Sequence, residues 1–329
     1  MRILLLCVLL LIGGPVLAKT PDQLRAEFID QMVERYGFSR RDVTRTLYQA
    51  HLRRPILEAI SRPAEKRLNW TAYRKIFLTP SRIAGGVDYW RRHAATLTRA
   101  EREFGVPPEI VVAILGVETR YGANTGGYRV LDALHTLGFH YPRRGRFFRE
   151  QLSHFLRFAR EEGIAATMPT GSYAGAMGVP QFMPDSFRIY AIDFDGDGRR
   201  DIWHNHVDVI GSVANYFVEK GGWKRGGAVA QRVSGVTGAH RPLIEAGAKP
   251  TLDPGRVQAA GIALQVPADG KVSLIELETD NGPEHWVGEH NFYAIMRYNP
   301  RTKYAMAVFQ LSEAIRDRYL STVAARDAD

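Results

Sequence analysis

Between Pro107-Pro108 and Tyr121-Gly122 the chain carries Ile110, Val111, Val112, Ile114, Leu115 and Val117, with Glu109 the only charged residue before Glu118. The prolines break the preceding structure and open a helix, and Gly122 offers a C-terminal stop. A helix that is apolar almost all round is a buried helix. The rest of the chain must therefore cover it. With 329 residues there is enough for one large domain or two to three packed subdomains. Hydrophobic residues at 45% and charged residues at 24% are ordinary globular values, not disordered or fibrous ones.

The elements around that helix read mostly as helices. Thr20-Pro21-Asp22-Gln23 combines a capping hydroxyl, a first-turn proline and Gln at the capping-box position. Leu24, Phe28 and Met32 then recur on one face. Ser39 caps a second helix carrying Val43 and Leu47, and a further helical stretch is expected from about Arg82 to Phe104. More helix is expected around Leu131–Leu137, Phe147–Phe158 and Val209–Phe217. After Gly221-Gly222 the texture changes to Gly and Val, with strand composition at Gln231–Val236, Gly261–Val266 and Lys271–Glu278. Helical pattern returns from about Tyr304. The fold class is thus α+β, mainly α, with a small β insertion and no internal repeat.

The first residues have the pattern of an export leader. Arg2, the apolar run Ile3–Ile12 and the ending Val16-Leu17-Ala18 predict cleavage after Ala18. The run is about half the ~20 residues of a membrane span, which argues against an anchor. Cys7, the one cysteine, lies inside the apolar run, too early for lipid modification at the cleavage site, so a lipoprotein anchor is not expected. The mature chain then has no cysteine and no thiolate chemistry. Lys plus Arg number 44 against 35 for Asp plus Glu, a net charge of +9. Such a balance favours a polyanionic partner: nucleic acid, or the carboxylates of peptidoglycan stems for an exported protein. Charge alone does not separate the two.

Glu118 closes the buried helix in Gly116-Val117-Glu118-Thr119-Arg120-Tyr121-Gly122. Desolvation beside apolar surface raises a carboxyl pKa and suits it to give up a proton near neutral pH, as glycosidic cleavage requires. The plainer alternative is a Glu paired with Arg120. A second stretch, Gly171-Ser172-Tyr173-Ala174-Gly175-Ala176-Met177-Gly178-Val179-Pro180-Gln181-Phe182-Met183-Pro184, is dense in small residues that let backbone approach a ligand. By itself it also reads as a tight turn. A third, Asp193-Phe194-Asp195-Gly196-Asp197-Gly198-Arg199, has EF-hand spacing: oxygen ligands at positions 1, 3 and 5, Gly at 6 and the Arg199 backbone carbonyl at 7. It departs at position 12, where His204 stands in place of Glu. The alternative there is an acidic surface turn.

In this order and spacing, the three motifs resemble the membrane-bound lytic murein transglycosylase B family over nearly all of the mature chain. The resemblance implies a goose-lysozyme-like core with α and β subdomains: a leader at 1–18, an N-terminal helical subdomain at 19–80, a lysozyme-like core at 81–222 holding the EF-hand-like loop 193–208, a β insertion at 223–290 and a return to the core at 291–329. It implies Glu118 as acid/base. It also implies that Ser172, Gln181, Tyr216, Tyr298, Asn299 and Tyr304 line the saccharide cleft, joined by Tyr73, Arg143, Arg144 and Phe182. In the family a later Asp closes the calcium site, and Asp208 takes that place beside Asp193, Asp195, Asp197 and Arg199. No paired second loop accompanies it, which fits a structural rather than a sensing ion. No organic cofactor is expected.

Glycoside hydrolases usually need two carboxylates. The next acid downstream, Asp132, sits on an apparent helix and reads as structural. One carboxylate fits a transglycosylase, in which Glu118 protonates the leaving oxygen and then takes the proton of the C6 hydroxyl as a 1,6-anhydro ring closes. The expected function is a periplasmic, monomeric lytic transglycosylase acting on peptidoglycan strands, with no nucleic-acid partner. A lysozyme-type hydrolase and a non-catalytic peptidoglycan-binding protein are the alternatives.

Overall fold

The computed structural model describes residues 19–61, 68–264 and 270–326. The expected leader lies outside them, as does the end of the strand expected at 261–266; its described residues, 261–264, form no strand.

Near the N-terminus, local signals act as the sequence suggests. Helix α1 (Pro21–Tyr36) starts with the full capping box on Thr20 and Gln23 and stops at Gly37 in the left-handed conformation. Ser39 caps α2 (Arg40–Tyr48), which buries Val43 and Leu47. Then come α3 (Arg54–Ser61) and α4 (Trp70–Phe77), capped by Asn69. The stretch expected from Arg82 to Phe104 is two helices, α5 (Pro80–Arg92) and α6 (Ala94–Phe104), because His93 leaves helical geometry at φ −116° and ψ 22°. No glycine or proline marks the break. His93 instead turns its ring onto Tyr89 (4.5 Å between centroids) and His206 (4.9 Å).

Helix α7 (Pro108–Thr119) is the buried axis of the molecule. Ile110 to Leu115 are at most 3% exposed. It packs against α5, α6, α11 (His206–Glu219) and α15 (Thr302–Arg326). On the other side α8 (Val130–His140) and α9 (Gly145–Glu161) form an antiparallel pair covered by α1, with α3 on α8 and α10 (Pro184–Tyr190) on α9. Two short strands, β1 (Tyr128–Arg129) and β2 (Thr170–Gly171), pair antiparallel just before the start of α8.

The Gly- and Val-rich segment forms an antiparallel sheet in the order β3 (Ala230–Val233), β5 (Gly282–Gly288), β4 (Ser273–Thr279), with short α12 (Arg241–Glu245) and α13 (Pro254–Ala259) beside it. Alternation along β4 divides its side chains. Leu274 joins a small cluster with Leu243, Leu252, Val257, Ile262, Val272 and Val287, while Ile275 and Leu277 join the main core. Helix α14 (His290–Met296) leads back to α15. No described helix is long and apolar enough to cross a membrane.

Asp132 is built into this frame. Its buried carboxylate accepts the backbone N–H of His51 (2.9 Å) and is paired with Arg53 (3.0 Å) and Arg129 (2.6 Å). Neighbouring His135, 5% exposed, lies against Phe139 (5.1 Å). Burial first, then Arg25 and His140, lower its pKa from 6.5 to about 4. Burial, His206 and Arg92 lower that of His93 to about 4 as well. The unfolded chain therefore binds protons at these positions first as pH falls. Stability contributed by the neutral rings is complete above 6.5 and is lost down to about 4. The melting temperature is expected to decline across that window and His135→Gln to flatten the decline, with His93 keeping part of it. An unchanged pH slope in that variant would refute the assignment.

Candidate active site

Helix α7 ends sooner than Gly122. Thr119 is its last residue, and Arg120, Tyr121 and Gly122 follow at φ 51°, 62° and 95°. Two non-glycine residues in left-handed geometry are costly and persist where tertiary contacts hold them. Tyr121 donates its hydroxyl to the carbonyl of Arg82 (2.7 Å), and its ring stacks on Tyr89 (5.7 Å). The phenol occupies the space over Gly116, where a Cβ would lie 2.6 Å from its oxygen. Glycine at 116 thus lets the chain fold back under the last turn, and Glu118, half-buried, is fixed on it.

Thr119 joins this turn to the second motif. Its hydroxyl donates to the Val179 carbonyl (2.9 Å) and accepts the N–H of Gly122 (3.0 Å). The motif is a knot of backbone contacts: Met177 and Phe182 exchange two hydrogen bonds (2.8 and 3.0 Å), and Ser172 N–H donates to Ala176 O (2.9 Å). At Gly171 a Cβ would stand 2.0 Å from Ala176 O, so only glycine fits. The Ser172 hydroxyl oxygen accepts the N–H groups of Ala174 (3.3 Å) and Ala176 (3.1 Å). Gln181, at φ 52°, donates from Nε2 to Thr125 O (3.0 Å) and Gly178 O (2.9 Å).

The tyrosines come together around Glu118. Tyr304 of α15 donates its hydroxyl to Glu118 Oε1. Tyr298 lies 4.8 Å from Tyr216 and 6.0 Å from Phe182, and Phe182 lies 5.3 Å from Tyr216. Burial and then the charge of Glu118 push the phenols of Tyr298 and Tyr304 well above their usual pKa. Tyr216 is raised too, by burial first. Each therefore stays a neutral phenol beside the Glu118 carboxyl group. Tyr73 of α4 also acts electrostatically on Tyr304, which places it beside the same group.

Their polar tips are largely spent inside the protein. Tyr298 donates to Pro180 O (2.6 Å) and Tyr216 to Arg297 O (2.7 Å). Tyr216, Tyr304, Tyr73 and Phe182 are at most 6% exposed. These side chains form the wall that positions Glu118, rather than a set of free hydroxyls. Asn299 is half-buried two residues before Arg301, whose N–H its carbonyl accepts (2.7 Å). Arg143 and Arg144 are exposed in the α8–α9 turn, where the Arg144 guanidinium lies 4.4 Å from the Phe147 ring and 5.2 Å from that of Phe148. Thr119 and Tyr121, within the Glu118 motif itself, were legible there as neighbours but not as clamps. Arg82 carries no local signal.

In the acidic loop, carboxylate oxygens of Asp193, Asp195 and Asp197 lie within 4.8 Å of one another. Asp193 shapes the turn, accepting the N–H groups of Gly196 (2.7 Å) and Gly198 (2.8 Å). Arg199 is exposed at its end. Asp208 is placed apart from these three. It is fully buried, and its two oxygens accept the N–H groups of Phe194 (2.7 Å) and Asp201 (2.8 Å). Four spare residues between Arg199 and Asp208, relative to a standard EF-hand, let the chain turn Asp208 inward under the loop.

Residues 20–313 match the family model described as a transglycosylase SLT domain. The chain is 42% identical over 300 residues to the membrane-bound lytic murein transglycosylase B of Escherichia coli (strain K12), covering 88% of this chain and 81% of that protein. Its structure is similar to that of the soluble lytic transglycosylase SltB1 from Pseudomonas aeruginosa, with a TM-score of 0.85 and 48% identity over 89% of this chain and 99% of that one. It is also similar to the Escherichia coli lytic transglycosylase Slt35 in complex with calcium, with a TM-score of 0.80 and 41% identity over 90% of this chain and 94% of that one. The chain belongs to this family and is a lytic transglycosylase of peptidoglycan with the family's lysozyme-like fold.

Proposed function

We propose that Glu118 alone serves as acid and base in cleavage of the bond between MurNAc and GlcNAc. The observation that carries this reading is the half-buried Glu118 carboxylate held by the Tyr304 hydroxyl within a wall of neutral phenols. Glu118 gives its proton to the glycosidic oxygen as the C1–O bond breaks. The substrate's N-acetyl group supports the cationic carbon. The C6 hydroxyl then attacks C1, and its proton returns to Glu118. One 1,6-anhydro ring forms, and no water is consumed. A low-dielectric aromatic wall with the fixed Tyr304 donor supports such charge changes with little reorganisation.

Ser172, Gln181, Asn299, Arg143 and Arg144 are proposed to carry the strand and its acidic stems past this carboxylate. Asp193, Asp195 and Asp197, with the Arg199 carbonyl, offer the hard oxygen donors calcium requires, and the proposed ion is structural. The leader at 1–18 is proposed to send the chain to the periplasm, where it works as a monomer. Digestion of purified peptidoglycan with the full chain tests the reaction. Mass spectrometry is expected to show muropeptides ending in 1,6-anhydroMurNAc, lighter by one water than lysozyme products. A digest dominated by reducing-end MurNAc would assign a hydrolase instead.

A further inference from the structure

Between the acidic turn and α11, the chain from Arg200 to Asn205 is hydrogen-bonded to the second motif at two places, once at its entry and once within it. The Trp203 indole N–H donates to the Thr170 carbonyl in β2 (3.0 Å), two residues before Ser172. The Ile202 carbonyl accepts the N–H of Val179 (2.9 Å), two residues before Gln181. Ile202 is fully buried, and a Cβ at Gly178 would lie 2.5 Å from its oxygen, so glycine at 178 admits this contact. The segment is itself fixed. Arg200 pairs with Glu162, and its guanidinium lies 4.9 Å from the Phe187 ring. The N–H of Asp201 donates to Asp208 (2.8 Å), and the Asp201 carboxylate accepts the N–H groups of Trp203 (2.8 Å) and His204 (3.0 Å).

We infer that residues 201–204 form a strap that sets the second motif against Glu118, with Trp203 as a positioning residue for strand binding. The inference rests on the reading of Glu118, Ser172 and Gln181 given above. Packing accounts for the Trp203 ring, which lies 6.0 Å from that of Phe158 and 6.2 Å from that of Phe187. A phenyl ring would serve there as well. Packing does not account for the indole N–H, which meets the carbonyl where the chain enters the motif. Val179 carries the other link onward. Its N–H is held by the strap and its carbonyl by the hydroxyl of Thr119 (2.9 Å), the residue next to Glu118. A single residue thus joins the strap to the Glu118 turn. Loss of the Trp203 anchor frees the Ser172 end of the motif, while Thr119 and Ile202 keep the Glu118 end in place. A misplacement of about 1 Å can cost about 10²-fold, and partial release of one end should cost less.

The test is Trp203→Phe, which keeps a ring against Phe158 and Phe187 and removes the donor. Well below the melting temperature, kcat/KM on isolated glycan strands is expected to fall about tenfold, nearly all of it in KM. Asp201→Ala leaves the N–H groups of Trp203 and His204 without their acceptor and should raise KM similarly. The double variant should lose little more than either single one, because both act through the same contact. Calorimetric titration of strands into Glu118→Gln protein, with and without Trp203→Phe, reads binding without turnover and should show the same weakening. An unchanged KM, a loss confined to kcat, or losses that multiply in the double variant overturn the inference. Absence of anhydro products from the wild type would fail the reading of the reaction, while the calorimetry still judges the strap.

Discussion

Glu118→Gln is expected to lower turnover of peptidoglycan by about 10²–10⁴-fold while glycan binding survives. The amide keeps the size of the carboxylate, and its oxygen can still accept the Tyr304 hydroxyl. Thr119, Tyr121 and Gly116 hold the turn through contacts that the substitution leaves alone. Only the transferable proton is lost. Both halves of the proposed reaction need it, since the same oxygen delivers the proton to the leaving group and recovers one from the C6 hydroxyl. The loss should therefore appear in kcat rather than in KM. Steady-state release of soluble muropeptides and binding of strands to the variant measure the two separately. A variant with near-normal turnover sinks the assignment.

How far the sequence reveals this arrangement depends on how local each cause is. The Thr20 capping box, the Ser39 cap and the all-apolar α7 are written in adjacent residues and appear as read. The break at His93 is not, because it is set by rings from Tyr89 and His206, the latter more than a hundred positions away. Arg120 and Tyr121 would pass as the end of a helix; what forces them left-handed is the Arg82 carbonyl. Strand β5 opens with Gly282-Pro283, which disguises it, and owes its place to pairing on both sides with β3 and β4.

The site follows the same division. Glu118 stands out from its motif, and the resemblance groups Tyr216, Tyr298 and Tyr304 with it. That Tyr298 and Tyr216 give their hydroxyls to Pro180 and Arg297 carbonyls is a consequence of packing between distant segments. Spacing cannot reveal it. Asp208 is the sharpest instance. By position it completes a calcium loop; by burial it instead satisfies two backbone N–H groups beneath that loop. A buried carboxylate so engaged supports the loop from beneath.

That support decides what calcium should do. Asp193, Asp195 and Asp197 crowd three carboxylates into one turn, and their repulsion is relieved when a divalent ion binds. The base of the loop is fixed without the ion. Asp208 holds Phe194 and Asp201 from α11, while Arg99 of α6 donates to Phe194 O (2.7 Å) and lies 3.8 Å from its ring. A bound ion is therefore expected to add stability to a fold already formed and to leave Glu118 unaffected. A ligand binding only the folded state contributes about 2.7 kcal/mol at a hundredfold excess over its Kd. Calcium is accordingly expected to raise the melting temperature by several degrees. Chelation well below melting should leave most activity intact. Asp197→Ala should abolish the shift, whereas Asp208→Asn should lower the melting temperature both with and without calcium, since an amide lacks one of the two acceptors. Scanning calorimetry of the full chain with millimolar calcium or chelator reads all of these, and a wild-type melting curve indifferent to calcium would reduce the loop to an acidic turn.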